Sequence, residues 1–88
     1  MTTFKINKDL IIQKLDEKQV VFDGEEAVMY TLNDTASFIF SKLKLGWDKQ
    51  KITDALVKKY EIKEKKALHD LEELINYLRN KKIIIKKR

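Results

Sequence analysis

The spacing of hydrophobic residues changes from a period of two to a period of three to four within residues 27–43. Residues 27–32 alternate between two faces, which is the pattern of a β-strand. One face carries Val28, Tyr30 and Leu32, and the other carries Ala27, Met29 and Thr31. After Asn33 and Asp34, either of which can cap a helix, one helical stripe is formed by Ala36, Ile39, Phe40 and Leu43. The pattern predicts a strand that passes directly into a helix.

Two further strands are predicted before this one, over residues 10–14 and 19–22. The second of them and residues 27–32 are separated by a segment that contains Asp23 and Gly24. This segment predicts a hairpin turn, in which a glycine can take a positive φ. The three segments together predict a three-stranded sheet with one apolar face.

Three amphipathic helices are predicted after the sheet. Gly46 suits the left-handed end of the first helix, and Asp48 suits the N-cap of the second, with Trp47 and Ile52 as a hydrophobic staple across it. The second helix covers about residues 49–60, with buried positions at Ile52, Ala55, Leu56 and Tyr60. The third covers about residues 64–80, with buried positions at Ala67, Leu68, Leu71, Leu74, Ile75 and Leu78.

The closing segment "KIIIK" favours a short final strand, because three consecutive isoleucines are β-branched. The predicted order is therefore β-β-β-α-α-α with a possible terminal strand, an α+β fold in which the helices cover one face of the sheet. Two short helices followed by a long one are also typical of helix-turn-helix packing.

Composition fits one small domain over residues 1–88, with 43% hydrophobic and 38% charged residues. No run is long and apolar enough to span a membrane, and "MTTFKINKDL" lacks the apolar segment of a signal peptide. The chain has no cysteine, so neither a disulfide framework nor a thiolate nucleophile is available. We expect a cytoplasmic protein that does not associate with membranes.

The net charge is +5, which leaves two interpretations open. The first is a solvated surface rich in lysine and glutamate, and the second is attraction to an acidic partner or a nucleic acid. The basic residues are spread along the chain, and only the tail "KKIIIKKR" is strongly basic by itself.

No residue pattern predicts catalytic chemistry, a metal site or a cofactor. His69 is the only histidine, and it falls outside the apolar stripe of the third helix. A metal site would need partner ligands, and the chain offers neither cysteine nor a second histidine. Asp70, Glu72 and Glu73 spread over a wide solvent-facing arc of a helix, which indicates a solvated face. The two glycines do not form a phosphate-binding loop.

Three ordered segments resemble the PqqD-like family, the leader-peptide recognition elements of pathways that modify ribosomally made peptides. They are "YTLNDTASFIFSKLKLG", "ITDALVKKYEI" and "ALHDLEELINYLRNKKII". The similarity covers about residues 20–85. It is carried by Leu32-Asn33 followed by Thr35-Ala36, by the Asp70-Leu71 step, and by the spacing of Leu78 and Ile83.

The resemblance implies a three-stranded antiparallel sheet followed by a winged helix-turn-helix-like bundle of three helices. It implies binding rather than catalysis. The leader of a precursor peptide would lie along residues 27–31, in a cleft walled by the third helix. A separate enzyme would then modify the precursor, either a radical SAM protein or, as in lasso-peptide systems, a leader peptidase.

A strand at the edge of a sheet suits this role, because its unpaired N–H and C=O groups can pair with an extended peptide. On the third helix, Asp70, Leu74 and Tyr77 share one flank at i, i+4 and i+7, and we expect that flank to wall the cleft. Glu72 and Arg79 lie on the other flank. The residues expected to bind the peptide are Ala27, Val28, Met29, Tyr30, Thr31, Asp70, Leu71, Leu74, Tyr77 and Leu78.

Three other interpretations remain open from the sequence. Residues 27–32 could be an ordinary strand that only builds the core. The chain could be a structural subunit of a larger enzyme. It could also be a small winged-helix DNA-binding protein, although the acidic residues of the third helix would repel phosphates in a groove. On the peptide-binding interpretation, no specific nucleic acid partner is expected.

Overall fold

A computed structural model describes residues 3–16 and 18–87, which form two sheets and three helices. The strands are β1 (Thr3–Ile6), β2 (Ile11–Leu15), β3 (Lys18–Asp23), β4 (Val28–Leu32) and β5 (Ile84–Lys87). The helices, which lie between β4 and β5, are α1 (Asp34–Lys44), α2 (Lys49–Tyr60) and α3 (Glu64–Asn80). The α+β class, the sheet followed by three helices and the short final strand are confirmed.

The larger sheet is an antiparallel meander in the order β2-β3-β4. Strand β1 was not predicted; it pairs antiparallel with β5 in a separate ribbon, with Ile6 opposite Ile84. The final strand thus pairs with the beginning of the chain and not with the meander. Ile83 and Ile84 are buried, while Ile85 is 45% exposed, so only part of the isoleucine run enters the core.

The turn between β3 and β4 differs from the prediction. Ala27 takes a positive φ of 55°, whereas the φ of Gly24 is not in the left-handed region. The Asp23 carboxylate accepts hydrogen bonds from the backbone N–H groups of Glu25 and Glu26, at 3.1 and 3.2 Å, and so fixes the start of the turn. The placement of Ala27 in the strand was therefore wrong, because its left-handed backbone ends the turn and β4 begins at Val28.

The helices, the inner face of the meander and the β1–β5 ribbon form a single core, in which α1 packs on the meander and α2 packs on α3. Its members are Phe4, Val21, Leu32, Ile39, Phe40, Leu43, Ile52, Leu56, Ala67, Leu71, Ile75, Leu78, Ile83 and Ile84. Leu68 was predicted to be buried and is 39% exposed. It lies about 60° around the helix from Leu71, at the margin of the apolar stripe.

Local caps fix the helix boundaries as predicted. The Asn33 side chain accepts from the N–H of Ala36 at 2.8 Å, and that of Asp48 accepts from the N–H of Lys51 at 2.9 Å. These bonds satisfy backbone donors that the first turn of a helix leaves free. Gly46 takes a φ of 82° directly after α1, which a side chain would disfavour.

A buried hydrogen-bond cluster around Ser37 joins the sheet to α1. The Ser37 hydroxyl donates to the carbonyl of Leu32 at 3.0 Å and accepts from the N–H of Gln19 at 2.8 Å. The Gln19 amide donates in turn to the carbonyl of Ser37 at 3.0 Å. The cluster therefore sets the position of the first turn of α1 against the end of β4.

Candidate functional site

Strand β4 is paired on one side only. All five of its residues pair with β3, and no strand among the described residues lies on its other side. Successive residues of a strand direct their N–H and C=O groups to opposite sides, so the free edge carries main-chain groups without a sheet partner. This edge is the main feature of the candidate site.

Helix α3 forms a wall beside this edge. The rings of Tyr30 on β4 and Tyr77 on α3 meet edge to face, with centroids 6.2 Å apart and an angle of 87°. Tyr77 remains 42% exposed, and Leu74, one turn before it, is half-buried. The structure thus brings the predicted strand and the predicted flank of the helix into contact at the tyrosine pair, and the cleft consists of the two cavities that open on either side of that pair.

A cavity of about 420 Å³ opens at the end of this cleft where β4 passes into α1. It is lined by Asn33, Thr35, Ala36, Ile39, Asp70, Glu73 and Leu74. One wall is the first turn of α1, and the other is the middle of α3. The size is sufficient for a large side chain.

The carboxylates of this cavity each have a basic or imidazole neighbour on α3. Lys66 Nζ lies 3.2 Å from Asp70 Oδ2, and His69 Nε2 lies 2.6 Å from Glu73 Oε1. Both pairs join residues four apart on the exposed side of the helix, where such contacts contribute little to stability. The cavity wall is therefore polar along its rim and apolar at Ile39 and Leu74.

A second cavity, of about 410 Å³, opens at the other end of β4. It is lined by Asn7, Asp23, Glu25, Glu26, Val28, Tyr30, Asn80, Lys81 and Lys82. The Lys81 ammonium lies 5.9 Å from the Tyr77 ring centroid, so the basic residues border the tyrosine pair. The cleft thus has one end lined by two carboxylates and no lysine, and another end lined by three carboxylates and two lysines.

The predicted site residues fall into distinct groups. Val28 and Tyr30 face the helices, whereas Met29 and Thr31 are exposed on the opposite face of the sheet. Asp70 and Leu74 line the first cavity, and Tyr77 contacts Tyr30 between the two cavities. The structure places Ala27 in the turn, outside β4.

Leu71 and Leu78 were predicted to bind the peptide and are fully buried. They belong to the core and support the cleft wall from behind, so their assignment as contact residues needs correction. The buried apolar stripe and the flank expected to face the peptide lie side by side on α3. The sequence pattern alone did not distinguish core residues from contact residues there.

The contributions of α1 and of the segment after α3 to the site were not predicted. Thr35, Glu73, Lys81 and Lys82 were not among the predicted residues. Glu73 could have been found, because it lies three residues after Asp70 and four before Tyr77 on the same flank. Lys81 and Lys82 reach the site through the turn that joins α3 to β5, which has no sequence periodicity.

The described residues contain no group of three or more His, Asp or Glu side chains placed to hold a metal ion. Within residues 3–16 and 18–87, none of the helices has the length and apolar character needed to cross a bilayer.

Comparisons with known proteins point to one family and one fold. A family described as "Coenzyme PQQ synthesis protein D (PqqD)" matches residues 18–84. No curated protein matches the chain.

Two solved structures share the fold. One, described as TbiB1 in complex with the TbiA(beta) leader peptide, has a TM-score of 0.86 and 24% identity over 91% of this chain and 93% of that chain. The other, a lasso peptide synthetase B1 complexed with the leader peptide, has a TM-score of 0.87 and 24% identity over 93% of this chain and 96% of that chain.

Proposed function

This chain belongs to the PqqD family, and on that premise we propose that it binds the leader segment of a ribosomally synthesised precursor peptide. The leader adds as a further strand along the free edge of β4 and lies in the cleft beside α3. The observation that carries the proposal is the one-sided pairing of β4 opposite Tyr77 and Leu74. The two similar structures, each described as a complex with a leader peptide, support it.

Main-chain pairing provides affinity for the peptide, and side-chain cavities provide specificity. Hydrogen bonds to the edge of β4 hold any extended peptide, because every residue except proline offers the same N–H and C=O groups. Alternate side chains of that peptide point into the cleft, between Val28 and Tyr30 on one side and α3 on the other. The cavities at the two ends of β4 then distinguish one leader from another.

We propose that the chain acts by presentation and not by catalysis. The enzyme partner is a radical SAM protein or a leader peptidase, and it acts on the remainder of the precursor. The second similar structure, described as a lasso peptide synthetase B1, supports a lasso-peptide context. The proposed role needs no nucleophile, metal or cofactor from this chain.

Binding to a specific DNA sequence is not favoured. In a winged-helix protein the recognition helix enters the major groove. Here the exposed side of α3 carries Asp70, Glu72 and Glu73, which would face phosphates or base edges with negative charge. The same helix walls the cleft in which the peptide lies.

An NMR titration with the leader of a precursor encoded beside this chain's gene tests the proposal. We expect shifts concentrated in residues 28–32 and at Asp70, Leu74 and Tyr77, with new slowly exchanging amides on β4. Shifts confined to α2 or to the final strand, with β4 unchanged, would show that the peptide does not add to this edge.

A further inference from the structure

The outer face of the meander, which points away from the helices, exposes several apolar side chains. Ile11 is 56% exposed, Leu15 58% and Met29 64%, and Val20 and Phe22 are half-buried beside them. A shallow depression of about 230 Å³ lies among Ile11, Gln13, Val20, Phe22 and Met29. These five side chains carry no charge. Exposed apolar surface of this kind commonly marks a place of contact.

The register arranges this face in two rows that end at the free edge. Ile11 pairs with Phe22 and Phe22 pairs with Met29, which gives an apolar row across all three strands. The neighbouring row runs from Gln13 through Val20 to Thr31 and has polar ends. Only the first row therefore presents an apolar side chain, Met29, at the edge where a further strand would add.

We propose that the outer face of the free edge, at Met29, is a second half of the peptide site, and that Met29 selects a leader with an apolar side chain directed away from the cleft. This inference rests on the proposed function, since it requires a peptide strand beside β4. Residues directly opposite one another on paired strands point to the same face, with Cβ atoms about 5 Å apart. The leader residue opposite Met29 thus becomes the fourth member of the row that begins at Ile11.

An aliphatic or aromatic residue fits this position best. Its apolar surface would be covered by Met29, whereas a charged residue would lose hydration beside this uncharged neighbour. The flexible thioether of methionine can adapt to several apolar shapes. Two residues along the peptide, opposite Thr31, a polar residue is accepted equally well. The leader would therefore carry cleft anchors on one face and one apolar residue on the other.

The experiment uses peptides selected from a displayed random library for binding to the wild-type chain. Because the chain contains no cysteine, Met29→Cys introduces a unique thiol. Each selected peptide is then scanned with single cysteines, and the position that forms a disulfide with Met29→Cys is the position opposite it. Such bonds require Cα atoms within about 7 Å, so they report the register directly.

We expect the position so found to be apolar in the selected peptides. Its replacement by aspartate should weaken binding by about two- to five-fold, the range that cross-strand pairs give. The Met29→Lys variant should remove that penalty by pairing with the aspartate. Thr31→Cys should identify a position two residues away, where aspartate has no such effect.

Ile11→Lys is the matched control for charge on this face. It lies in the same row on β2, about 14 Å from the added strand, and should leave the preference for an apolar residue unchanged.

The outcomes separate the two proposals. If no peptide position reacts with Met29→Cys or Thr31→Cys, strand addition itself is wrong, and the proposed function falls with it. If a position reacts but tolerates aspartate, the leader binds at the edge and the selection by Met29 is overturned. Rapid disulfide formation between two copies of Met29→Cys without peptide would mean that a second copy covers this face, which also overturns the inference.

Discussion

Tyr77 is the side chain on which we expect the proposed peptide site to depend most directly. It meets Tyr30 across the cleft, yet it keeps 42% of its surface exposed, so a ligand can still cover it. We expect Tyr77→Ala to weaken leader binding by about 1–2 kcal/mol, as loss of an aromatic anchor does, and to leave the fold intact. Tyr60→Ala is the matched control, because it removes a similar edge-to-face pair with Phe38, 6.1 Å apart and away from the cleft. Equal losses of affinity for both variants, measured by calorimetry, would contradict this role.

Two leucines on α3 separate the core from its margin. Leu71 is fully buried, whereas Leu68 is 39% exposed. Leu71→Ala should lower the free energy of unfolding by about 2–5 kcal/mol, because the cavity it leaves is closed off by the core. Leu68→Ala, the same change on the same helix, should cost less than about 1 kcal/mol. Urea denaturation of both variants checks this difference, and similar midpoints would mean that the two side chains are buried alike.

Strand β4 should bind through its main chain, so proline is the informative substitution there. Met29→Pro removes one N–H and restricts φ at the free edge. We expect peptide binding to fall by at least tenfold, more than for any single cleft side chain. Lys14→Pro, in β2 at the opposite edge of the meander, should leave binding unchanged, because the register directs the N–H of Lys14 away from β3 when that of Met29 points to the free edge. Circular dichroism must show that both variants retain the sheet; full binding by a folded Met29→Pro protein would exclude main-chain pairing at this residue.

The helices could be predicted from the sequence because their signals are local. Asn33, Asp48 and Gly46 each act within a few residues, and their caps lie where the pattern placed them. Strand β1 could not be predicted in this way, since its four residues are stabilised by β5 at the other end of the chain. The left-handed conformation of Ala27 was missed because Ala27 fits the alternating pattern of residues 27–32. Its positive φ nevertheless takes its backbone out of the extended conformation of the strand.

The cleft was predicted only in part, because local patterns show which residues share a face but not which distant segments meet. The helical period placed Leu74 and Tyr77 on one flank, and the alternation placed Tyr30 on the face toward them. The helical period did not predict that Leu71 is completely buried, because burial depends on how closely the rest of the protein packs against α3. Thr35 and Lys82 contribute through contacts between distant segments, which no local pattern records.

The distribution of charge over the whole protein argues for a weak, general attraction to nucleic acid. The net charge is +5, but α3 carries acidic residues where a groove-binding helix would need basic ones. We expect DNA binding that disappears as salt rises from low to physiological concentration, because such affinity comes from the release of counterions. Fluorescence anisotropy with two unrelated duplexes checks this. Retention of one duplex at physiological salt, together with a footprint, would contradict the expectation that DNA binding is weak and non-specific.

The buried bonds of Ser37 have a kinetic consequence. They hold the first turn of α1 in a fixed position against the end of β4, so the wall that α1 gives to the cavity is in place before a peptide arrives. Association should then be a single bimolecular step, and its observed rate in stopped flow should rise linearly with peptide concentration without reaching a plateau. Ser37→Ala leaves the buried N–H of Gln19 without its acceptor, at a cost of about 1–3 kcal/mol. In that variant the position of α1 relative to β4 becomes variable, and a slow rearrangement should begin to limit the rate of peptide association.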